Sequence, residues 1–253
     1  MRLAGRTALV TGSSRGIGAA IATRLAADGA KLILHARSDP EKAEGVAAAI
    51  RAAGGTANVV LGDLETAEAP VRVVQEAFAI HGGLDILVCN AGGGGGGMVV
   101  DQQVDAIDRT LALNLRATIL ATGEFARLTT SPYGRVIFIS SGMGTHPAYG
   151  VSLASASKAG AEAFIRSAAQ ELGERGITLN SVAPGTTETD MIQGLSWPAK
   201  VPRWTALRRL GQPEDIADVV AFIASDEARW LTGLTIAANG GLVTSAANVI
   251  SYG

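Results

Sequence analysis

Short apolar segments alternate with helical segments along the whole chain, and this alternation restricts the possible fold more than any other feature. The predicted strands cover residues 7–11, 32–34, 59–61, 84–88, 135–140, 178–182 and 234–237. The predicted helices cover 41–53, 67–80, about 104–128, about 154–173 and 213–225, with a first helix that carries Ile17, Ile21 and Leu25 on one face. Strands that are short and apolar suit burial on both faces of a sheet. The pattern therefore predicts an α/β protein with a doubly wound parallel sheet and helices on both faces.

The size and composition are those expected of one domain with a large core. The chain has 253 residues, of which 47% are hydrophobic and only 17% charged. No linker, repeat or charge block interrupts it, so we expect a single domain over residues 1–253. The less regular stretch 185–212 follows a strand, where ligands enter open α/β sheets, and is predicted to be a substrate lid. Trp197 and Trp204 within it are either part of that lid or packing anchors.

Charge and cysteine content limit the partners and the compartment. The formal net charge is −2, which gives no basic surplus for nucleic acid or an anionic membrane. We find no signal peptide and no apolar run of membrane-spanning length. A lone cysteine, Cys89, cannot form an internal disulfide, so a cytoplasmic location is expected. His35, His81 and His146 are scattered without further ligands at metal-binding spacing, and no metal is expected.

A glycine-rich turn lies between the first predicted strand and the first helix. Gly12, Gly16 and Gly18 are spaced to allow a tight turn, close approach of a pyrophosphate and close contact between helix and sheet. The N-terminus of the following helix offers free N–H groups and a positive dipole end. In this context the motif predicts a Rossmann fold that binds a nicotinamide dinucleotide.

The end of the second strand bears on which dinucleotide is bound. An acidic residue there would accept a hydrogen bond from the ribose 2′-hydroxyl and repel a 2′-phosphate. The chain instead has His35-Ala36-Arg37-Ser38 at this point. Arg37 and Arg15 are placed to face a 2′-phosphate, which favours NADP(H) over NAD(H), although either arginine can equally be a solvated surface charge.

Six consecutive glycines, Gly92 to Gly97, follow the fourth predicted strand. One interpretation, which we favour at this point, is a flexible surface turn. The other is a loop whose bare backbone lies close to a cofactor or substrate.

Several motifs occur in a fixed order, and together they resemble those of the short-chain dehydrogenase/reductase family. They are Thr11 to Gly18, Asn90-Ala91-Gly92, Asn114, Ser141, Lys158 and Pro184-Gly185. Within the family, these motifs most resemble those of the branch that is similar to 3-oxoacyl-carrier-protein reductases. The resemblance implies an enzyme that transfers hydride between a nicotinamide and a ketone or secondary alcohol. It also implies a homotetramer formed through the helices at 104–128 and 154–173 and the closing segment 234–253.

The resemblance assigns roles to individual residues. Asn114 would hold a water in a proton relay, Ser141 would bind the substrate carbonyl, and Lys158 would hold the nicotinamide ribose. The implied cofactor-binding residues are Gly12, Ser14, Arg15, Gly16, Ile17, Gly18, Arg37, Asp63, Asn90, Ala91, Gly92, Lys158, Pro184, Gly185, Thr187 and Thr189. The substrate is either a β-keto thioester or a small natural-product or xenobiotic ketone.

The family's acid, a tyrosine four residues before the lysine, is replaced by Ala154. Residues four apart share a helix face, and a lysine there lowers the pKa of the phenol so that it can protonate an alkoxide. We therefore expect good cofactor binding but slow reduction. Because the other site residues keep the pattern, an engineered alanine is favoured over a natural non-redox homologue such as a pseudoenzyme, lyase or isomerase. Tyr149 and His146 lack the required spacing, so we expect them to line a loop or face solvent.

Overall fold

The computed structural model describes residues 1–144, 149–194 and 197–242, and its centre is one parallel sheet. The seven strands are β1 (Thr7–Val10), β2 (Lys31–Ala36), β3 (Thr56–Leu61), β4 (Ile86–Cys89), β5 (Arg135–Ile139), β6 (Thr178–Pro184) and β7 (Thr235–Ala238). They pair in the order β3-β2-β1-β4-β5-β6-β7, with every pairing parallel. The predicted doubly wound parallel sheet is confirmed.

Helices connect the strands and cover the sheet. They are α1 (Gly16–Ala27), α2 (Pro40–Ala52), α3 (Ala69–His81), α4 (Val104–Leu111), α5 (Ala117–Leu128), α6 (Ser152–Leu172) and α7 (Pro213–Ala224). The local sequence explains where two of these helices, α2 and α7, begin. Asp39 accepts a hydrogen bond from the Lys42 amide just before Pro40, and Gln212 forms a capping box with Asp215. These contacts satisfy N–H groups that a helix start leaves unpaired.

The core has two layers, one on each face of the sheet. On one face α1, α2 and α7 pack through side chains such as Ile21, Ile50 and Val220. On the other face α3, α5 and α6 pack through side chains such as Val73, Phe125 and Ile165. All six of these side chains are at most 3% exposed, so both faces of the strands are covered, as the apolar strand sequences require.

The direction of the winding reverses between β1 and β4. The chain moves outward from β1 to β2 and β3, then returns to the other side of β1 and continues through β4 to β7. Loops that leave neighbouring strands in opposite directions open a crevice at their carboxyl ends, where α/β proteins bind ligands. The loops after β1 and β4 carry the glycine turn and the glycine run, so both meet at this crevice.

The predicted helix at about 104–128 is present but is not α-helical throughout. A π-helical segment, Ala112–Arg116, separates α4 from α5 and contains Asn114. The predicted helical span is confirmed, but the π segment was not predicted, because a π turn inserts an extra residue that hydrophobic periodicity does not reveal. Elsewhere the predicted elements are present with ends that differ by a few residues. None of the helices in the described ranges combines the length and the apolar character needed to cross a bilayer.

Candidate active site

The glycine turn after β1 has the geometry that requires glycine. Gly12 and Gly16 have φ values of +63° and +55°, in the region that other residues rarely adopt. A Cβ on Gly18 would lie 2.3 Å from the Gly12 carbonyl oxygen and 2.5 Å from Asn90 Nδ2. A Cβ on Gly12 would lie 2.9 Å from Ala91 Cα. The turn is thus pressed between the start of α1 and the loop after β4, and only bare backbone fits there.

The start of α1 leaves its backbone donors available. Arg15 occupies the N-cap position with extended backbone, and its side chain makes no capping hydrogen bond. The first N–H groups of a helix need an acceptor, and a phosphate is a suitable one. Ser14 and Ile17 are half-buried beside this opening, and Arg15 is exposed. The turn therefore forms a cradle with the donors and shape for a diphosphate.

The loop after β4 is fixed to the turn by Asn90 and Thr11. Asn90 Nδ2 donates to the carbonyl oxygens of Thr11 at 2.8 Å and Gly12 at 3.0 Å. In return, Thr11 Oγ1 accepts the backbone N–H groups of Asn90 at 2.9 Å and Ala91 at 3.0 Å. The two sides of the crevice are held at a fixed separation by these four hydrogen bonds.

The groups predicted to contact the adenosine end lie after β2 and β3. The Arg37 side chain is 67% exposed and lies 3.9 Å from a Glu65 oxygen, a distance at which the pair is weak. Asp63 follows β3 and accepts the backbone N–H of Glu65 at 3.0 Å, which orders this loop. His35 was not predicted as a site residue. It lies buried between the glycine turn after β1 and the loop after β3, and no local pattern indicates those long-range contacts.

Asn114 lies at the centre of a buried hydrogen-bond network. Its Nδ2 donates to Ser157 Oγ at 3.0 Å and to the Gly93 carbonyl at 3.1 Å, and its Oδ1 accepts the Gly93 N–H at 3.0 Å. Ser157, fully buried, donates in turn to the Ala154 carbonyl at 2.8 Å. The side chain of Asn114 therefore joins the π segment to α6 and to the glycine run. Ser157 was not predicted, although its position directly before Lys158 marks it as a neighbour of the site.

Part of the glycine run packs against this network, as the second interpretation expects, while Gly94, Gly96 and Gly97 are exposed. Gly95 accepts the backbone N–H of Ala154 at 3.2 Å, and the Gly97 N–H donates to the Gly150 carbonyl at 2.8 Å. A Cβ on Gly95 would lie 2.5 Å from the Ala154 nitrogen, and one on Gly92 would lie 2.9 Å from Lys158 Nζ. Close approach to α6 therefore explains glycine at positions 92 and 95.

Lys158 points from α6 toward the end of β5. Its Nζ donates to the Ile139 carbonyl at 2.8 Å and lies 4.8 Å from the centre of the Phe138 ring. Burial lowers the pKa of Lys158 to about 8, while Cys89 and Glu162 act in the opposite direction. The ammonium group is therefore held in the crevice at a cost, which is typical of a functional lysine.

We expect Lys158→Met to stabilise the cofactor-free protein at pH 7. The folded pKa of about 8 lies below the ordinary 10.5, so the unfolded chain binds the proton more strongly. At 1.36 kcal/mol per pKa unit, burial of the charged lysine destabilises the folded protein by about 3 kcal/mol below pH 8. This destabilisation disappears as the pH rises toward 10.5, because the lysine then loses its proton in both states. Urea unfolding should show the variant about 1–3 kcal/mol more stable at pH 7, because loss of the Ile139 hydrogen bond offsets part of the gain.

The pH dependence supplies the control for this prediction. The advantage of Lys158→Met over the wild type should shrink steadily between pH 8 and pH 10.5. A Lys158→Met protein that is less stable than the wild type by the same amount at both pH values would contradict the assignment of a buried, destabilising charge.

Ser141 follows β5 and is half-buried at the crevice. Its Oγ accepts the Met143 N–H at 3.3 Å, which leaves its own O–H available to donate elsewhere. The neighbouring Ser140 donates to the carboxylate of Glu162, a side chain that is buried in α6 one turn beyond Lys158. The loop that carries Ser141 is thus attached to the helix that carries Lys158.

The side chain at position 154 is the buried methyl group of Ala154. Ala154 lies in the first turn of α6, is 7% exposed and lies directly under Gly95. It offers no proton donor to the crevice. Tyr149 is 89% exposed, which agrees with the interpretation that it faces solvent. His146 lies outside the described residues.

The stretch after β6 closes one side of the crevice. Pro184 ends β6, and a Cβ on Gly185 would lie 2.8 Å from Asn239 Cα. Thr187 donates to the Gly185 carbonyl at 3.1 Å, and the Thr189 methyl would be 3.4 Å from a Cβ on Gly16. The stretch therefore reaches back to the glycine turn.

Both tryptophans of this stretch are at least partly accessible. Trp197 begins a 3-10 segment and is 44% exposed. Trp204 is less exposed and is half-buried. In the described part of the chain, no group of three or more His, Cys, Asp or Glu side chains is placed to hold a metal ion.

A parallel sheet with a glycine turn at its point of reversal defines the Rossmann class of dinucleotide-binding proteins. Comparison with known proteins narrows this class. The sequence profile of a family described as Enoyl-(Acyl carrier protein) reductase matches residues 12–243. The short-chain dehydrogenase/reductase FrzI of Cladobotryum sp is 38% identical over 250 residues, which cover 94% of this chain and 96% of that protein.

Two further relatives extend the comparison. The 3-oxoacyl-[acyl-carrier-protein] reductase FabG of Staphylococcus aureus is 37% identical over 94% of this chain and 98% of its own. A crystal structure of a short-chain dehydrogenase from Burkholderia cenocepacia in complex with NADP is 40% identical. It superposes with a TM-score of 0.91 over 95% of this chain and 99% of that one. The chain belongs to the short-chain dehydrogenase/reductase family of oxidoreductases.

Proposed function

We propose that this protein binds NADP(H) and transfers hydride between the nicotinamide and a ketone or secondary alcohol, slowly in the form with Ala154. The observation that carries the proposal is the cradle at the crevice, where a Cβ on Gly18 would lie 2.3 Å from the Gly12 oxygen. Free N–H groups at the start of α1 and a lysine across the crevice complete it. A dinucleotide fits these donors, and NADP is bound by the similar protein from Burkholderia cenocepacia.

The chain's own residues bind and orient the reactants. Gly12 to Gly18 hold the diphosphate, and the Lys158 ammonium holds the ribose hydroxyls. Asn90, Ala91 and Gly92 line one wall, and Pro184, Gly185, Thr187 and Thr189 line the other. When bound, the nicotinamide supplies or accepts the hydride. Ser141 orients the carbonyl oxygen through its available O–H, and Asn114 keeps the glycine run and α6 in register around the reacting atoms.

We expect Arg37→Ala to weaken NADPH binding about tenfold and to leave NADH binding nearly unchanged. Arg37 is largely exposed and only weakly engaged by Glu65, so it is free to pair with a 2′-phosphate beside Arg15. A hydrogen bond to a charged group contributes about 1.5–3 kcal/mol, and exposure places this one at the lower end. Fluorescence titration with each nucleotide measures the effect.

Lys42→Ala is the matched control, because Lys42 is also an exposed cation near the end of β2 and pairs with Asp39 at 3.6 Å. It should leave the preference for NADPH unchanged. Equal losses for NADPH and NADH in Arg37→Ala, or equal effects of the two substitutions, would contradict recognition of the 2′-phosphate by Arg37.

Slow turnover follows from the side chain at position 154. Ala154 cannot donate a proton, and a positioned general acid contributes about 10²–10⁴ in rate. Protonation of the alkoxide must then come from water admitted to the crevice. The experiment that tests the redox reaction is Ala154→Tyr, which introduces the phenol.

A second candidate function is cofactor binding without redox turnover, as in a pseudoenzyme, a lyase or an isomerase. The packing of Gly95 over Ala154 favours this second function, because the glycine run occupies the space beside position 154.

Substrate, assembly and location complete the proposal. We propose either a β-keto thioester or a small ketone as substrate, and the name of the Staphylococcus aureus 3-oxoacyl-[acyl-carrier-protein] reductase supports the first. We propose one domain over residues 1–253, with 185–212 as the lid. A homotetramer through 104–128, 154–173 and the closing segment is supported by the exposed Ile119 on α5. A cytoplasmic location is supported by the buried free thiol of Cys89.

A further inference from the structure

The structure assigns His35 the role of a positioning residue that couples the two cofactor loops and makes cofactor affinity depend on its protonation state. His35 is the penultimate residue of β2 and is 2% exposed. This inference rests on the proposed function, since it concerns the same nucleotide site.

Both ring nitrogens of His35 bind backbone groups of different loops. Nδ1 accepts the N–H of Gly12, the first glycine of the turn, at 3.1 Å. Nε2 lies 2.9 Å from the carbonyl oxygen of Gly62, next to Asp63. A carbonyl can only accept, so Nε2 carries the hydrogen and Nδ1 is an unprotonated acceptor. The ring is therefore neutral, in one tautomer.

Backbone contacts fix the main chain of His35 against the turn, and burial leaves the ring little space to rotate. The His35 N–H donates to Ser13 Oγ and the His35 carbonyl accepts the Ser13 N–H, each at 3.0 Å. Ser13 Oγ donates to the Val10 carbonyl at 2.8 Å. His35 is thus locked against the same turn that its side chain contacts.

A second proton on the ring would oppose the Gly12 N–H directly. Nδ1–H and the Gly12 N–H would then be two donors facing each other at 3.1 Å. Gly12 has little room to retreat, because even an added Cβ would lie 2.9 Å from Ala91 Cα, and Asn90 holds the Gly12 carbonyl. Protonation must therefore distort the turn that binds the diphosphate.

The surroundings keep the ring neutral near pH 7. Burial lowers the pKa of His35, the hydrogen bond to Gly62 raises it, and the charges of Arg72 on α3 and Asp63 after β3 oppose each other. Because the folded pKa lies below 6.5, the ring also contributes stability that is lost as the pH falls below 6.5.

The test compares NADP⁺ binding by calorimetry between about pH 5 and pH 7.5 in the wild type and His35→Asn. Asparagine places Oδ1 where Nδ1 was, so it still accepts the Gly12 N–H, but it does not titrate. The wild type should lose affinity in acid more steeply than His35→Asn does, with a difference of up to about tenfold per pH unit. The 2′-phosphate also gains a proton near pH 6, but this affects both proteins equally.

Two further measurements complete the experiment. His35→Leu removes the acceptor and should weaken NADP⁺ binding at every pH, with circular dichroism to verify folding. Nitrogen chemical shifts of the ring should report the neutral Nε2–H tautomer at pH 7. Parallel affinity curves for the wild type and His35→Asn would overturn the inference. Absence of saturable NADP⁺ binding by the wild type at any pH would overturn the proposed function as well.

Discussion

Replacement of Ala154 by tyrosine should raise NADPH-dependent ketone reduction by about 10²–10⁴. Position 154 lies one helical turn before Lys158, so a phenol there shares the lysine's face of α6. The nearby ammonium favours the phenolate and lowers the pKa of the phenol, which matches the acid to neutral pH. The gain corresponds to about 3–5 kcal/mol of barrier. A panel of ketones followed by NADPH absorbance measures it.

Ala154→Phe is the matched control, because phenylalanine adds the aromatic ring of tyrosine without its acidic hydroxyl group. Both aromatic substitutions must displace the glycine run, because Ala154 is only 7% exposed and Gly95 lies against its backbone. If the phenol acts as an acid, only tyrosine should raise kcat, while the two proteins have similar affinity for NADPH. If neither exceeds the parent with any ketone although both bind NADPH, the protein is a cofactor-binding homologue without redox turnover.

The strand–helix alternation and the glycine turn could be predicted from sequence because both are local. A strand buried on both faces must be apolar, and a turn under a helix start must lack side chains. The ends were less predictable where polar residues extend a strand. β2 begins at Lys31 and ends at Ala36, although the continuous apolar run is only Leu32 to Leu34.

The contacts around the site were harder to predict, since they join residues far apart in sequence. The π segment places Asn114 where it binds Gly93 and Ser157, 21 and 43 residues away. No periodic pattern in 104–128 indicates that segment. The glycine run was ambiguous for a similar reason, because six glycines suit both a solvated turn and a backbone pressed against another element. Only the position of α6 distinguishes these cases.

The strongest dependence on glycine lies at Gly18, and Gly18→Ala should weaken NADPH binding by at least about 100-fold. Alanine normally favours a helix over glycine by about 1 kcal/mol. Here its Cβ would lie 2.3 Å from the Gly12 oxygen and 2.5 Å from Asn90 Nδ2, so α1 must move away from the turn. Overpacking of this kind costs about 1–3 kcal/mol of stability and moves the N–H groups that would hold the diphosphate.

Gly45→Ala is the matched control for this substitution. Gly45 is also helical and lies exposed in α2, and a Cβ at this position would have nothing within 4 Å. Alanine should therefore stabilise the protein by up to about 1 kcal/mol. Thermal unfolding and NADPH titration of both proteins measure the contrast. If Gly18→Ala binds NADPH as tightly as Gly45→Ala does, the diphosphate is not held at this turn, and the crevice between β1 and β4 serves another ligand.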